Sequence, residues 1–219
     1  MVHKRHSAAV AVERSKQPRT QAERTALAEE RMVAAAIELL NSAGIQGATL
    51  KAIGERAGYS RGLATHHFGT KAGLFRKVLR EVSAIWVRAL RDRVGDKTGV
   101  EALSAANEAH LQHVLDYPNH LRAMYILWFG SLDPGSEFKP NLSGFMRLQR
   151  ESMAQWVRGG QKLGEIRPDI DAAKAGEQLY ATTIGINHQW LVDPGLNLSG
   201  AYREMKHNML LWLQSRQDR

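Results

Sequence analysis

Cysteine is absent from the 219 residues, which excludes disulfide frameworks, thiolate zinc sites and thiol catalysis at once and fits a reducing cytoplasm. Proline is scarce: six residues, none between 19 and 117, so nothing of that kind interrupts long helices there. No apolar run approaches the roughly 20 residues that span a bilayer, so no membrane partner is expected. The apolar patch Ala8 to Val12 is interrupted by Glu13 and Arg14. It is too short for a secretory core, which makes residues 1–20 a basic, disordered arm by expectation. Catalytic signatures are missing too. There is no glycine-rich phosphate loop, no G-x-S-x-G and no H-E-x-x-H, so neither an enzyme nor a cofactor is expected.

Positive charge is present in excess, and it is localised. The net formal charge is +8. Residues 1–80 hold fourteen Lys and Arg against six Asp and Glu, whereas the remaining 139 residues carry sixteen of each sign. All of the excess therefore lies in the first third, which points to a polyanion partner for that third alone.

Helical periodicity runs through the chain, and no segment alternates with period two for long enough to form a strand. Leu27, Val33, Ala36, Ile37 and Leu40 make one buried stripe, ended by Asn41 and Gly44. Thr49 caps a short helix with Leu50, Ile53 and Ala57 on its apolar face, stopped by Gly58. Ser60 caps another over 61–68, and Gly69-Thr70 opens a long helix that carries Leu74, Phe75, Val78, Val82, Ile85 and Trp86. Further helices are expected at about 100–116, 119–130, 141–164, 171–192 and 199–215, separated by proline- and glycine-containing breakers. The fold class is all-α: an N-terminal three-helix unit followed by a helical bundle.

Two short helices joined at Gly58 and flanked by longer ones form a helix-turn-helix, whose second helix fits the DNA major groove. Arg61 opens that helix, where a guanidinium can bond guanine bidentately, and Gly62 and Ala64 are small enough to let it lie close to the duplex. Residues 49–74, TLKAIGERAGYSRGLATHHFGTKAGL, resemble the DNA-binding signature of the TetR family of transcriptional regulators. The match is carried by Thr49, Ile53, Ala57-Gly58, Ser60-x-Gly62, His67-Phe68 and Thr70-Lys71 leading to Leu74.

The resemblance implies that Arg61, Thr65 and His66 face bases and flanking phosphates, and that Leu63 meets a thymine methyl. Lys51 falls where relatives touch base or backbone. Thr49, His67 and Lys71 fall on backbone-contacting positions, Lys71 at a helix N-terminus where amide donors already point outward. Ala64-Thr65 replaces the Leu-Tyr of many relatives, and Tyr59 or His66 could take over the tyrosine's phosphate contact. Adjacent residues on a helix diverge by about 100 degrees, so His66 and His67 are poorly placed to chelate one metal.

The domain layout expected from these features is an arm at 1–20, the helix-turn-helix domain at 21–70, a connecting helix at 71–94 and an effector-binding, dimerising domain at 95–219. The aromatic-rich stretch RAMYILWFG at 122–130 reads as core or as the wall of a pocket for a largely apolar small-molecule effector, with His113, Met124, Tyr125 and Trp128 as its candidate residues. Ala175, Leu179, Thr182, Ile186, Met205, Met209 and Leu213 fit an internal core and a homodimer interface equally well. A dimer would read a palindromic double-stranded DNA operator. The whole reads as a cytoplasmic, ligand-responsive repressor. Its rivals are a non-specific DNA-structuring protein and, more remotely, a metal-dependent enzyme built on His110 and His113.

Overall fold

The structure, a computed structural model, describes residues 20–214, so the expected arm, apart from Thr20, lies outside the described residues. Among these, nine helices follow one another: α1 Gln21–Gly47, α2 Leu50–Ala57, α3 Arg61–Phe68, α4 Lys71–Val94, α5 Gly99–Asp116, α6 Pro118–Gly130, α7 Lys139–Lys162, α8 Ala172–Val192 and α9 Leu198–Leu213. The sole extended pairing among the described residues is an isolated bridge between Ile166 and Gln214. None of these helices is long and apolar enough to cross a membrane.

Local chemistry sets the first four boundaries. Thr20 and Glu23 form a reciprocal capping box at the start of α1. Thr49, Ser60 and Thr70 each accept a backbone N–H with the side-chain oxygen, from Ala52, Leu63 and Gly73, so each of the next three helices begins at a hydroxyl cap. The turn between α2 and α3 depends on two glycines. Gly58 sits at φ +80° as the left-handed cap, and a Cβ on Gly54 would stand 3.0 Å from the Ser60 carbonyl oxygen, so α2 meets the turn at backbone distance. Gly44, at φ +65°, breaks α1 where the sequence expects an end, although one further turn follows it to Gly47.

The buried side of α1 is Ala28, Met32, Val33, Ala35, Ala36, Ile37 and Leu40, with Leu27 only half-buried at the rim. Together with Ile53, Ala64, Leu74 and Val78 these residues form the interior of the N-terminal module, and the same hydrophobic cluster runs on without a break into the body. α1 packs on α6, where the Asn41 amide donates to the Asn119 carbonyl at 3.0 Å. α4 touches α1 and α3 near one end and α5 and α6 further along. In the body, α7 and α8 pack against each other and α9 closes over α5 and α8.

The two readings of the last helices separate here. Ala175, Leu179, Met209 and Leu213 are buried in the chain's own core, Ile186 and Met205 are half-buried, and Thr182 is exposed. The apolar side chains left outward on α8 and α9 are Val192, Leu211 and Trp212.

Leu40 is fully buried on the inner face of α1. Leu40→Ala is expected to cost about 2–5 kcal/mol of stability through lost burial plus a cavity, whereas Leu132→Ala, at a position 71% exposed, should stay within about 0.5 kcal/mol. Urea unfolding of both variants, compared by midpoint, checks the pair.

Candidate nucleic-acid interface and interior pocket

The three-residue link from Gly58 to Ser60 sets how α3 presents itself. Ala64 is fully buried and anchors the middle of α3 on the module's core. It therefore does not serve as the small residue at the duplex that the sequence pattern suggests: its missing bulk is taken up inside. With Ala64 inward, Arg61, Gly62, Thr65 and His66 form the exposed face, and Leu63 and Tyr59 are half-buried beside it. Lys51 on α2 and its N-cap Thr49 are exposed. The Lys51 ammonium lies 3.9 Å from Glu55, with both side chains well exposed, a pair too solvated to hold the lysine back from another anion.

Two of the nine candidates turn inward. The His67 ring is only 8% exposed and its Nδ1 lies 3.5 Å from a Glu29 oxygen. The other Glu29 oxygen meets the Lys77 ammonium at 3.3 Å, and Lys77 reaches Glu81 at 3.0 Å. A chain of polar contacts thus runs from α3 through α1 to α4. Its carboxylate neighbours raise the Lys77 pKa against partial desolvation. The Lys71 ammonium donates to the Ile45 carbonyl and sits 5.6 Å from the centre of the Phe75 ring. Desolvation lowers its pKa. His67 and Lys71 therefore brace the module from within.

A cleft of about 730 Å³ lies beside this brace, lined by His67, Arg76, Lys77 and Arg80 on one side and Asn141, Leu142 and Phe145 on the other. Deeper in the body, His113, Met124, Tyr125 and Trp128 come to one seam, of about 30 Å³. Trp86, Gln149, Tyr180 and Asn187 join them there, beyond the residues expected from sequence. On α8 a signal existed: Tyr180, Thr183 and Asn187 follow each other at three and four residues on an otherwise apolar face, the spacing of a polar line along a buried stripe. Trp86 and Gln149 gave none, since their mutual hydrogen bond of 2.9 Å joins residues far apart in sequence.

The seam is buried and under-satisfied. Both His113 nitrogens, Trp128 Nε1 and the Tyr180 hydroxyl have no protein hydrogen-bond partner, and each such group costs about 1–3 kcal/mol if left unmatched. His110 lies against Trp86, ring centres 3.8 Å apart, with His113 at 5.4 Å from the same indole. These two histidines form no metal site: among the described residues no three His, Cys, Asp or Glu side chains are placed to share an ion. Burial pushes the His110 pKa down to about 3, helped by His113. It pushes that of His113 down to about 4, helped by His120 and opposed by Asp116.

Comparison with known proteins places these features in context. Residues 32–78 match the family model described as bacterial regulatory proteins, tetR family. The regulator BetI of Burkholderia cenocepacia is 32% identical over 81 residues, 35% of this chain and 42% of that protein. The chain thus spans about two fifths of the length of that curated relative. RutR of Escherichia coli K12 is 28% identical over 153 residues, 68% of this chain and 72% of its own. Among solved structures, a complex of SmeT with triclosan superposes with a TM-score of 0.72 at 21% identity, covering 87% of this chain and 93% of that one. NalD, the secondary repressor of the MexAB-OprM efflux pump in Pseudomonas aeruginosa, does so at 0.70 and 21%, covering 89% and 99%. The all-α fold is that of these proteins.

The depressed histidine pKa values have a consequence for stability. Unfolded, His110 and His113 titrate near the ordinary value of 6.5. Below it the unfolded chain takes up protons that the folded one refuses, so stability is complete above pH 6.5 and falls as the pH drops toward 4. Each imidazole contributes a slope of at most about 1.4 kcal/mol per pH unit. His113→Phe should flatten this dependence in urea unfolding at pH 7, 6 and 5, and an unchanged slope would show that His113 titrates alike in both states.

Proposed function

We infer, from the match of residues 32–78 to the model of the tetR family of bacterial regulatory proteins, that the chain is a dimeric repressor that binds palindromic operator DNA in the cytoplasm and is released by a small, largely apolar effector. The observation that carries this reading is the exposed face of α3. Arg61, Thr65 and His66 stand outward on a helix whose inner side is pinned by the buried Ala64, the arrangement a recognition helix needs to reach base edges. Lys51, Thr49, Tyr59 and Leu63 flank that face as phosphate or base contacts. Lys71, the first residue of α4, contributes a backbone amide, and His67, held from inside, contributes alignment. The excess charge of the first third supplies the sequence-independent share of affinity.

A single short recognition helix specifies too little sequence, and a second copy supplies the other half-site. The outward faces of α8 and α9, with Val192, Leu211 and Trp212 exposed, are the surface proposed for pairing. The interior seam is the effector site, in a domain spanning residues 95–219 with α4 as its link to the DNA-binding module. Support comes from the solved complex of SmeT with triclosan and from NalD, described as a repressor.

The test is enrichment of bound sequences from a randomised duplex pool, followed by anisotropy titrations at several salt concentrations. A palindromic motif should emerge. Arg61→Ala should weaken binding to it by about 1–3 kcal/mol and relax preference at one base pair of each half-site, while Lys51→Ala should lower the salt slope by about one without changing the motif. Equal retention of all sequences, with only a steep salt dependence, would leave a non-specific DNA binder in place of the repressor.

A further inference from the structure

On the reading that this chain is effector-controlled, we infer that the interior seam takes an uncharged, planar aromatic molecule bearing a hydrogen-bond acceptor, held by Trp128 Nε1–H and the Tyr180 hydroxyl, and that its entry past Phe145 parts α4 from α7.

The demand for an acceptor follows from which polar groups are already matched. The Gln149 oxygen accepts from Trp86 at 2.9 Å, the Asn187 oxygen from Tyr202 at 2.7 Å and the Ile184 carbonyl from Tyr125 at 3.0 Å. What stays unmatched and buried is Trp128 Nε1, which can only donate, the Tyr180 hydroxyl, and His113. A molecule that only donated would leave the indole unmatched. An acceptor satisfies the indole, and the phenol hydroxyl, on the same lining, can donate to an acceptor as well.

Charge and shape narrow the class. No Asp, Glu, Lys or Arg lines the seam, so an ionised ligand would surrender its hydration without a counter-ion. Arg150 lies outside the lining but its charge acts on Tyr180. The walls are rings: Tyr125 and Trp128 are stacked with centres 4.9 Å apart and planes at 29°, and Phe145 lies 6.5 Å from Trp128. Flat ligands gain most between such faces.

The size of the seam dictates the motion. A volume of about 30 Å³ holds about one water molecule, so an aromatic ring enters only if the walls separate. Phe145 borders both the seam and the outer cleft of about 730 Å³, which makes it the door. The walls that part are α4, which carries Trp86, and α7, which carries Gln149 and Phe145. The same α4 holds Lys77, tied through Glu29 to His67 of α3.

The experiment titrates the full chain by calorimetry with four probes of one shape: 2-acetylnaphthalene, 2-naphthoate, 2-naphthylmethylammonium and 2-ethylnaphthalene, in wild type, Trp128→Phe and Tyr180→Phe. The ketone should bind saturably and at least about tenfold more tightly than the other three. Tyr180→Phe should weaken the ketone about tenfold while leaving 2-ethylnaphthalene unchanged, and Trp128→Phe, which also alters a wall, should weaken the ketone about tenfold more than it weakens 2-ethylnaphthalene, a discrimination that mere loosening of the fold would not give. If one variant fails to fold, the other carries the comparison. Naphthoate binding as tightly as the ketone would assign the seam to carboxylates through Arg150 and overturn the inference, as would equal binding of 2-ethylnaphthalene or no saturable binding by any probe. A chain that selects a palindrome yet binds none of the four loses this inference alone. One that binds the ketone at Trp128 and Tyr180 without selecting a palindrome loses the repressor reading while the seam assignment stands.

Discussion

Helix α4 buries a single apolar stripe in two places, and that double burial is what makes the module and the body one structure. Phe75 meets Phe138 edge to face at the module end, while Trp86 lies on His110 and bonds Gln149 within the body. A helix of 24 residues is stiff over roughly 36 Å. A displacement imposed at Trp86 is therefore carried as a tilt to Lys71 and Lys77 rather than absorbed between them. The hydrophobic cluster is continuous through α1, α4 and α6, so the module and the body share one core.

Polar contacts decide where the recognition helix points, though they add little stability. The Lys77–Glu29 pair joins partly exposed groups and contributes at most about 1 kcal/mol, while the inward-turned His67 meets Glu29 at 3.5 Å. Their value is geometric. α3 is only eight residues long, too short to hold an orientation by itself. Buried Ala64 fixes its depth, the Gly54 approach fixes its angle to α2, and Glu29 ties its last turn to α1 and α4. The two inward-facing candidates, His67 and Lys71, thus bear on how Arg61, Thr65 and His66 are presented at the surface.

Local signals made the helices legible in sequence. Hydroxyl caps at Thr49, Ser60 and Thr70, the left-handed Gly58 and the stripe of α4 all act within a few residues of themselves, and the helix ends they imply agree with the structure to within two residues. Which side of a short helix faces inward was less legible. Ala64 is small enough to suit either environment, and only the packing of α1 against α4 decides it. His67 and Lys71 are polar residue types compatible with phosphate contact, and nothing nearby in sequence reveals that Glu29 and the Ile45 carbonyl claim them. The seam was half-readable. Its α6 residues announce themselves as an aromatic run, whereas Trp86 and Gln149 meet across 63 residues, a pairing that periodicity cannot encode.

The closed seam sets the energetic terms on which a ligand could act. Moving a two-state equilibrium from 1:99 to 99:1 needs a ligand that prefers one state by about 10⁴-fold, or roughly 5.5 kcal/mol. A site with room for one water excludes the ligand from the closed state, so nearly all of its binding energy counts toward the difference. Two hydrogen bonds to donors otherwise unmatched contribute about 1–3 kcal/mol each, and burial of one aromatic ring adds about 1.5–3 kcal/mol. Opening the seam breaks the Trp86–Gln149 bond and unpacks Phe145, a cost similar in size to one of those gains. The balance falls within reach of a small ligand, and it does so because the chain leaves the Trp128 and Tyr180 donors unmatched in its closed form.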